Sequence, residues 1–335
     1  MAEQGLSLTG FSTVEDLHKL PPLPKQSFIE EPEAFRLQLD DVPGLSTEEM
    51  TLADIIYTAG STSKPTPFYV TAHEVAHQWW AHQVIGGRVQ GSTVLSETMS
   101  QYSALMVMEK EYGEERMKSF LEYEMNSYLQ GRSFEAKKEL PLILNENQGY
   151  IHYRKGSVIM YALKDYIGEA AVNQALSDFL DETRYMGPPY PNSLMLLEHL
   201  RAATPDSLAY IIEDMFETIT LYENRAVEAT AEEQAEGSYL VELDLNLTKF
   251  RADSLGNESE IAINDLVDIA VFGEDEDGEE TTLYLAKHWV TSGEQTIELR
   301  VDGVPVRAGI DPRYKLVDRN KDDNVVEVTV GGEGG

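Results

Sequence analysis

The residues with the clearest chemical potential are His73, Glu74 and His77, within the run His-Glu-Val-Ala-His at positions 73–77. Side chains four residues apart lie on the same face of a helix, so the imidazoles of His73 and His77 can reach one zinc ion. Glu74 directly follows the first histidine, where a carboxylate can hold a zinc-bound water and take its proton. The pattern therefore predicts a zinc site with Glu74 as general base.

A catalytic zinc site needs a third protein ligand and one open position. The chain contains no cysteine, so the third ligand is expected to be a His, Asp or Glu. We favour Glu97 because it lies on the next predicted helix, in an apolar stripe where a carboxylate without a partner would be costly. The alternative is an ordinary exposed helix glutamate. The predicted metal set is thus His73, His77 and Glu97, with one Zn²⁺ per chain.

Three polar residues near this set have weaker predicted roles. Gln101 lies four residues after Glu97 and could hold a ligand imidazole, although a glutamine on a helix is more often simply exposed. His152 could line the cleft or make an ordinary polar contact. His82 points away from the face of His77, so we do not expect it to bind the metal.

The composition argues against several kinds of partner. The 335 residues include 26 Lys and Arg against 59 Asp and Glu, a formal net charge of −33, which disfavours nucleic acid and anionic membranes. No stretch approaches the ~18 apolar residues that a membrane-spanning helix needs. The N-terminus also lacks the basic and apolar regions of a signal peptide. We therefore expect a soluble domain without membrane contact of its own.

Helical periodicity predicts that the zinc candidates lie in a mainly helical domain over residues 67–225. Residues 1–66 contain many prolines and are predicted to form a loop-rich N-terminal segment with a short helix near Ser46–Tyr57. The first helix of the domain is predicted from the possible cap Thr66 to the stop signal at Gly86. The other predicted helices are Thr93–Tyr112, Glu114–Leu129, Tyr153–Ile167, Glu169–Thr183, Ser193–Ala203 and Asp206–Thr218.

From about residue 226 the hydrophobic period changes to two. Between positions 239 and 247, apolar residues alternate with Glu242, Asp244 and Asn246, which is typical of a strand with one buried face. Further strands are predicted over Leu266–Phe272, Thr281–His288, Thr296–Val301 and Val325–Val330. Their spacing suits a small antiparallel β-sandwich over residues 226–335. The predicted fold class is α+β, with a mainly helical domain followed by this sandwich.

Positions 73–79 are His-Glu-Val-Ala-His-Gln-Trp, Glu97 follows on the next predicted helix, and positions 153–156 are Tyr-Arg-Lys-Gly. Together these motifs resemble the aminopeptidase N family of gluzincin zinc peptidases. The resemblance implies a thermolysin-like catalytic domain, a peptide substrate, and a role for Tyr153 in stabilising the oxyanion. The alternative for Tyr153 is a core or interface tyrosine.

The phrases at positions 90–93, 102–109 and 151–157 resemble the branch of that family fused to ABC transporter permeases. This likeness extends from about residue 68 to residue 318, about three quarters of the chain. It implies association with, or fusion to, permease segments in the natural protein, which would then be membrane-anchored. The side of the membrane is not given by the sequence.

Two features depart from the family pattern. Nineteen residues separate His77 from Glu97, one more than is usual in the family, and we expect the loop around positions 86–91 to absorb the extra residue. The Gly-x-Met-Glu-Asn motif that grips the amino terminus of the substrate in family exopeptidases is not found before His73.

The predicted function is zinc-dependent peptide hydrolysis, aminopeptidase-like, with Glu74 activating a zinc-bound water. One alternative is a catalytically silent zinc-binding module of a membrane transporter. Another is an endopeptidase that lacks the amino-terminus anchor. Hydrolysis of a non-peptide substrate is also open, because the fold family includes an epoxide hydrolase.

Overall fold

The computed structural model describes residues 67–135, 137–235 and 237–331, which form a helical region followed by a β-region. The predicted loop-rich segment 1–66, with its short helix, lies outside the described residues. Within the described part of the chain, no helix is long and apolar enough to cross a membrane.

The helical region contains α-helices and three π-turns, in which hydrogen bonds span five residues instead of four. The α-helices are α1 (Pro67–Ala76), α2 (Met99–Tyr112), α3 (Glu114–Phe134), α4 (Gly156–Ile167), α5 (Glu169–Thr183), α6 (Ser193–Ala203) and α7 (Ala209–Ile212). The π-turns are π1 (Val94–Thr98), π2 (Tyr150–Lys155) and π3 (Glu213–Glu217). Each π-turn runs directly into, or out of, an α-helix.

Local sequence signals account for several of these boundaries. Gly113 and Gly168 adopt positive φ values of 83° and 89°, and each separates two consecutive helices. Asn192 caps α6, because its side chain accepts hydrogen bonds from the backbone N–H groups of Leu194 and Met195. The bounds of α5 and α6 agree with the prediction.

The first helix is shorter than predicted, since α1 ends at Ala76 and does not continue to Gly86. After Ala76 the chain forms a tighter turn, in which the N–H of Trp79 bonds to the carbonyl of Ala76, three residues earlier, at 3.0 Å. Ala81 then takes a φ of 118°, which a helix cannot continue through. This turn brings Val84 into the core, where it is completely buried.

Other predicted helices differ in detail. The third helix extends to Phe134, beyond the predicted end at Leu129. The helix predicted over Asp206–Thr218 is divided into a 3₁₀-turn, α7 and π3. In addition, π1 and π2 are π-turns where α-helical turns were predicted, because hydrophobic periodicity alone does not distinguish a π-turn from an α-turn.

The β-region is one mostly antiparallel sheet of eight strands that curls into a half-barrel. The strands are β1 (Ile219–Ala235), β2 (Ser238–Ala252), β3 (Glu258–Ile261), β4 (Asn264–Glu274), β5 (Glu280–Thr291), β6 (Gly293–Asp302), β7 (Arg307–Ile310) and β8 (Val325–Gly331). Their order is β3-β2-β1-β8-β7-β4-β5, with β6 paired to β2. The parallel pair β1–β8 joins the two halves of the sheet.

The predicted class, α+β with a mainly helical region before an antiparallel β-region, is confirmed, and the β-region forms one curled half-barrel sheet where a small β-sandwich was predicted. The long strand β1 was not predicted, and it begins at Ile219, seven residues before the change of period at 226. Strands β3 and β7, of four residues each, are too short to show a clear period.

The helical region and the sheet share a continuous apolar core. Buried ions also join them: the Lys249 ammonium on β2 lies 2.5 Å from Asp214 on π3 and 2.8 Å from Asp265 on β4. A cation buried between two acids holds these elements in one geometry, because any separation would leave charge unpaired in the interior.

Candidate metal centre

Three neighbouring elements carry the predicted site residues. Helix α1 carries His73 and Glu74 near its C-terminal end, and His77 lies in the turn directly after it, where its N–H still bonds to the carbonyl of His73 at 3.2 Å. The π1 turn carries Glu97 and π2 carries Tyr153. π-Turns are rare and occur often at functional sites. A π-turn contains one more residue than an α-turn, so Glu97 and Tyr153 both lie where the helix path is locally altered.

The donor atoms of His73, His77 and Glu97 lie within 4.8 Å of one another, a spacing that could hold a metal ion. The Oε2 atom of Glu97 lies 3.4 Å from Nε2 of His73 and 3.5 Å from Nε2 of His77. Tetrahedral zinc with bonds of about 2.0–2.2 Å places its ligand atoms roughly 3.3–3.6 Å apart. The donor set and its spacing therefore fit zinc, despite the additional residue between His77 and Glu97.

The ring of His77 is oriented by its second nitrogen. Its Nδ1 lies 2.8 Å from the carbonyl oxygen of Trp80 and 3.0 Å from Oγ of Ser100. A carbonyl oxygen can only accept, so Nδ1 carries the proton and Nε2 keeps its lone pair for a metal. This contact fixes the tautomer that a ligand histidine needs.

His73 lies at right angles to His77, with the ring centroids 4.6 Å apart. His73 is buried, and its Nδ1 has no hydrogen-bond partner among the described residues. Its ring also contacts Tyr153, with the centroids 5.7 Å apart.

Electrostatics keep Glu97 ionised. Burial by itself would raise the pKa of this carboxyl, but hydrogen bonds from His73 and Tyr153 outweigh burial and lower the pKa to about 2. Burial and the hydrogen bond to Glu97 raise the pKa of Tyr153 to about 12. At neutral pH the site therefore contains a carboxylate and a protonated phenol.

Glu74 is exposed at the surface of α1 and is not among the converging donor atoms. Its charge nevertheless contributes to the raised pKa of Tyr153, so the two side chains act on the same region. Because the Glu74 side chain is exposed, its carboxylate is accessible to solvent water.

Gln101 is buried, and its contacts match neither of the two alternatives considered from the sequence, a bond to a ligand imidazole or an exposed helix position. Its amide Nε2 donates to the hydroxyl of Tyr69 at 3.0 Å and to Glu124 at 2.9 Å. The side chain that contacts the ring of His77 is instead Ser100, whose Oγ lies 3.0 Å from Nδ1. Ser100 was not singled out from the sequence. A serine on a buried helix face, three residues after Glu97, was the available signal.

His82 lies outside the group of converging donor atoms, and its Nδ1 lies 2.6 Å from the carbonyl oxygen of His77. His152 is buried and packs edge-on against Tyr153, with the ring centroids 4.4 Å apart. Burial lowers the pKa of His152 to about 4, so this imidazole is neutral at physiological pH.

The sequence matches the model of the Peptidase family M1 domain over residues 42–218, more than half of the chain. The chain belongs to peptidase family M1. The match ends at residue 218, and β1 begins at Ile219, so the M1 domain covers the whole described helical region and stops where the sheet starts.

No curated protein matches the chain significantly. Among solved structures, the M1 chain is similar to an M1 zinc metallopeptidase from Deinococcus radiodurans, a point mutant bound to a Tyr-Ser-Ala substrate. The identity is 15% and the TM-score 0.36, over 58% of this chain and 46% of that one. The chain thus spans less than half the length of that protein.

Proposed function

We propose that this M1 chain is a zinc-dependent peptidase, aminopeptidase-like in its chemistry, with His73, His77 and Glu97 as metal ligands. The observation that carries the proposal is the approach of two histidine Nε2 atoms to one carboxylate oxygen, at 3.4 and 3.5 Å. The protonated Nδ1 of His77 supports it further, because it leaves Nε2 free. Family M1 membership supports zinc as the metal. Bound zinc acts as a Lewis acid, which makes water more acidic and polarises a carbonyl group.

In this proposal Glu74 is the general base. Its carboxylate accepts a proton from the attacking water and then delivers that proton to the amine that leaves. The position of Glu74, next to His73 on the exposed side of α1, supports this role. Its charge contributes to the raised pKa of Tyr153, which further supports a shared role for the two side chains.

Tyr153 is proposed to stabilise the oxyanion of the tetrahedral intermediate. A phenol with a pKa of about 12 stays protonated at neutral pH and can donate a hydrogen bond to developing negative charge. The same hydroxyl bonds to Glu97 in the structure, so it lies beside the proposed ligand set.

The proposed substrate is a peptide, and the helical region is proposed as the catalytic domain with the β-region as its support. The likeness to the branch fused to ABC transporter permeases rests on sequence phrases alone. We keep association with such segments, and a place in a membrane-anchored protein, as part of the proposal. Release of a free amino acid from unblocked peptides would establish an exopeptidase, and cleavage of end-blocked peptides an endopeptidase.

The deciding experiment compares the zinc-loaded wild type with Glu74→Gln on amino-acid amides and on longer peptides. We expect hydrolysis to fall at least about 10²-fold in Glu74→Gln, because the water loses its base. Zinc content measured by elemental analysis should stay at one per chain, since Glu74 is not a proposed ligand. Glu111→Gln, which removes another exposed helix carboxylate, should change neither quantity.

A zinc-loaded wild type that hydrolyses none of these peptides would contradict the catalytic proposal and favour the silent zinc-binding module. Equal activity in Glu74→Gln and wild type would refute the assigned base. A wild type that binds no zinc would refute the metal site itself.

A further inference from the structure

Glu124 on α3 is fully buried, and its carboxylate accepts hydrogen bonds from three side chains. The Tyr69 hydroxyl donates to Oε1 at 2.8 Å, and the Gln101 amide donates to the same oxygen at 2.9 Å. Nη1 of Arg154 donates to both carboxylate oxygens, at 3.0 and 3.3 Å. The three donors come from three separate elements, α1, α2 and π2.

Each donor lies close along the chain to a residue of the proposed site. Tyr69 precedes His73 by four residues on α1, which is about one helical turn. Gln101 follows Glu97 by four residues where π1 continues into α2, and Arg154 is the immediate neighbour of Tyr153 on π2. A short helical segment is stiff over one turn, so fixing the donor fixes the nearby site residue.

We propose that Glu124 is a positioning residue of the metal centre. Its single carboxylate ties α1, π1–α2 and π2 together, so that the two histidines, the third ligand and the tyrosine keep their mutual distances. This inference rests on the function proposed above, since it assigns Glu124 to the same site.

The energetics of a buried charge favour this role. Burial raises the pKa of Glu124, while the Arg154 guanidinium and the hydrogen bonds act in the opposite direction. A buried carboxylate is tolerated only where its partners are held in good geometry. A bond from Gln101 to the Tyr69 hydroxyl at 3.0 Å closes the network. Movement of any one element would therefore leave a buried polar group unpaired.

A matched control exists on α2. Glu109 is also buried, with 8% of its side chain exposed, and accepts hydrogen bonds from the Lys164 ammonium and from the Tyr161 hydroxyl. It lies twelve residues beyond Glu97, roughly 18 Å along the helical path. Glu109 thus reproduces the chemistry of Glu124 without its position beside the site.

The test measures zinc affinity by competition with a chelator, together with the urea midpoint of unfolding, for Glu124→Gln and Glu109→Gln in the full chain. Both variants should unfold at lower urea, because each removes the buried counter-charge of a cation, the partly buried Arg154 or the buried Lys164. We expect zinc affinity to fall about tenfold in Glu124→Gln, by analogy with groups that orient ligands indirectly. In Glu109→Gln the affinity should stay within about twofold of the wild type.

Tyr69→Phe and Tyr161→Phe form a milder pair, since each removes one hydroxyl donor and keeps the buried ring. Tyr69→Phe should weaken zinc binding severalfold and Tyr161→Phe should not, which keeps the proposal testable if Glu124→Gln does not fold.

Unchanged zinc affinity in both Glu124→Gln and Tyr69→Phe, or equal losses in their controls, would overturn the positioning role while leaving the zinc site intact. Absence of zinc binding in the wild type would overturn both proposals. Zinc binding without hydrolysis would overturn catalysis alone, because affinity is measured without turnover.

Discussion

Gly156 lies where π2 runs into α4, three residues after Tyr153, and has helical backbone angles of φ −60° and ψ −42°. A methyl group added here, as in Gly156→Ala, would lie 2.6 Å from Oγ1 and 2.7 Å from Cγ2 of Thr98. Thr98 is completely buried and β-branched, and its hydroxyl donates to the carbonyl of His152 at 2.7 Å. Thr98 therefore has no alternative orientation that avoids the methyl group and keeps this bond.

The size of the effect follows from these distances. An ordinary contact needs 3.4 Å, so α4 and π1 would have to separate by about 0.8 Å (3.4 − 2.6). Overpacking of this kind costs roughly 1–3 kcal/mol, and alanine in a helix recovers up to about 1 kcal/mol relative to glycine. We expect a net loss of about 1–2 kcal/mol in the free energy of unfolding.

The Gly156→Ala change should also lower catalytic activity, and we expect this effect to be more pronounced than the loss of stability. Thr98 directly follows the proposed ligand Glu97, and Gly156 lies three residues after Tyr153. Separating α4 from π1 would therefore move the hydroxyl of Tyr153, the proposed oxyanion donor, away from the metal. A displacement approaching 1 Å can lower a rate by about 10²-fold, so we expect kcat/KM to fall roughly 10- to 100-fold. Zinc content should stay at one per chain, because α4 carries none of the proposed ligands and its displacement away from π1 leaves Glu97 beside the histidines.

Gly149→Ala is the matched control at the other end of π2. Gly149 has helical angles of φ −56° and ψ −39°, and an added methyl group would meet only Cδ2 of Tyr153, at an ordinary 3.7 Å. This variant should be as stable as the wild type or slightly more stable. The measurement is urea denaturation of both variants, followed by kinetics. A Gly156→Ala midpoint equal to or above that of Gly149→Ala would refute the steric argument.

Three further predictions concern metal binding, buried ions and pH. Glu97→Ala should lose zinc or bind it far more weakly in elemental analysis, and retention of one zinc per chain would show that another residue is the third ligand. Lys249→Met should lower the free energy of unfolding by about 3–5 kcal/mol in urea, because Asp214 and Asp265 lose their shared cation; a loss below about 1 kcal/mol would contradict this. Burial raises the pKa of Asp318 from 3.8 to about 6, so its folded form holds a proton that the unfolded chain releases, and the stability it contributes falls as pH rises between these values. Asp318→Asn cannot titrate, so its stability relative to the wild type should improve by about 2 kcal/mol between roughly pH 4.5 and pH 8; a pH-independent difference would refute the shifted pKa.

The sequence by itself determined the features that depend on local signals. Gly113 and Gly168 divide consecutive helices at the predicted boundaries, and α6 begins at Ser193 as predicted, after its cap Asn192, because such signals act within one turn. The i, i+4 spacing of His73 and His77 likewise fixed their common face, since helix geometry alone decides it. The α+β class followed from the change of period along the chain.

The sequence was sufficient to name the candidate site residues. It did not determine that the side chains of His73, His77 and Glu97 come together in space. Nineteen residues separate Glu97 from His77, and the approach of Glu97 depends on π1, whose hydrogen-bond pattern is not visible in hydrophobic periodicity. The early end of α1 accompanies the burial of Val84 in the core. The side chain of Gln101 bonds to Glu124, a carboxylate on another helix, which local sequence does not reveal.

Glu124 shows why tertiary structure had to decide the rest. Its neighbours Leu121 and Met125 are buried, so a glutamate in this stripe could be recognised as unusual, but its donors lie between 23 and 55 residues away in sequence. β1 was missed for a related reason: its pairing with β2 and β8 comes from the rest of the sheet, and not from a strong period of its own. Contacts of this range are selected by the packing of whole elements, because their energies are gained only once the chain has folded.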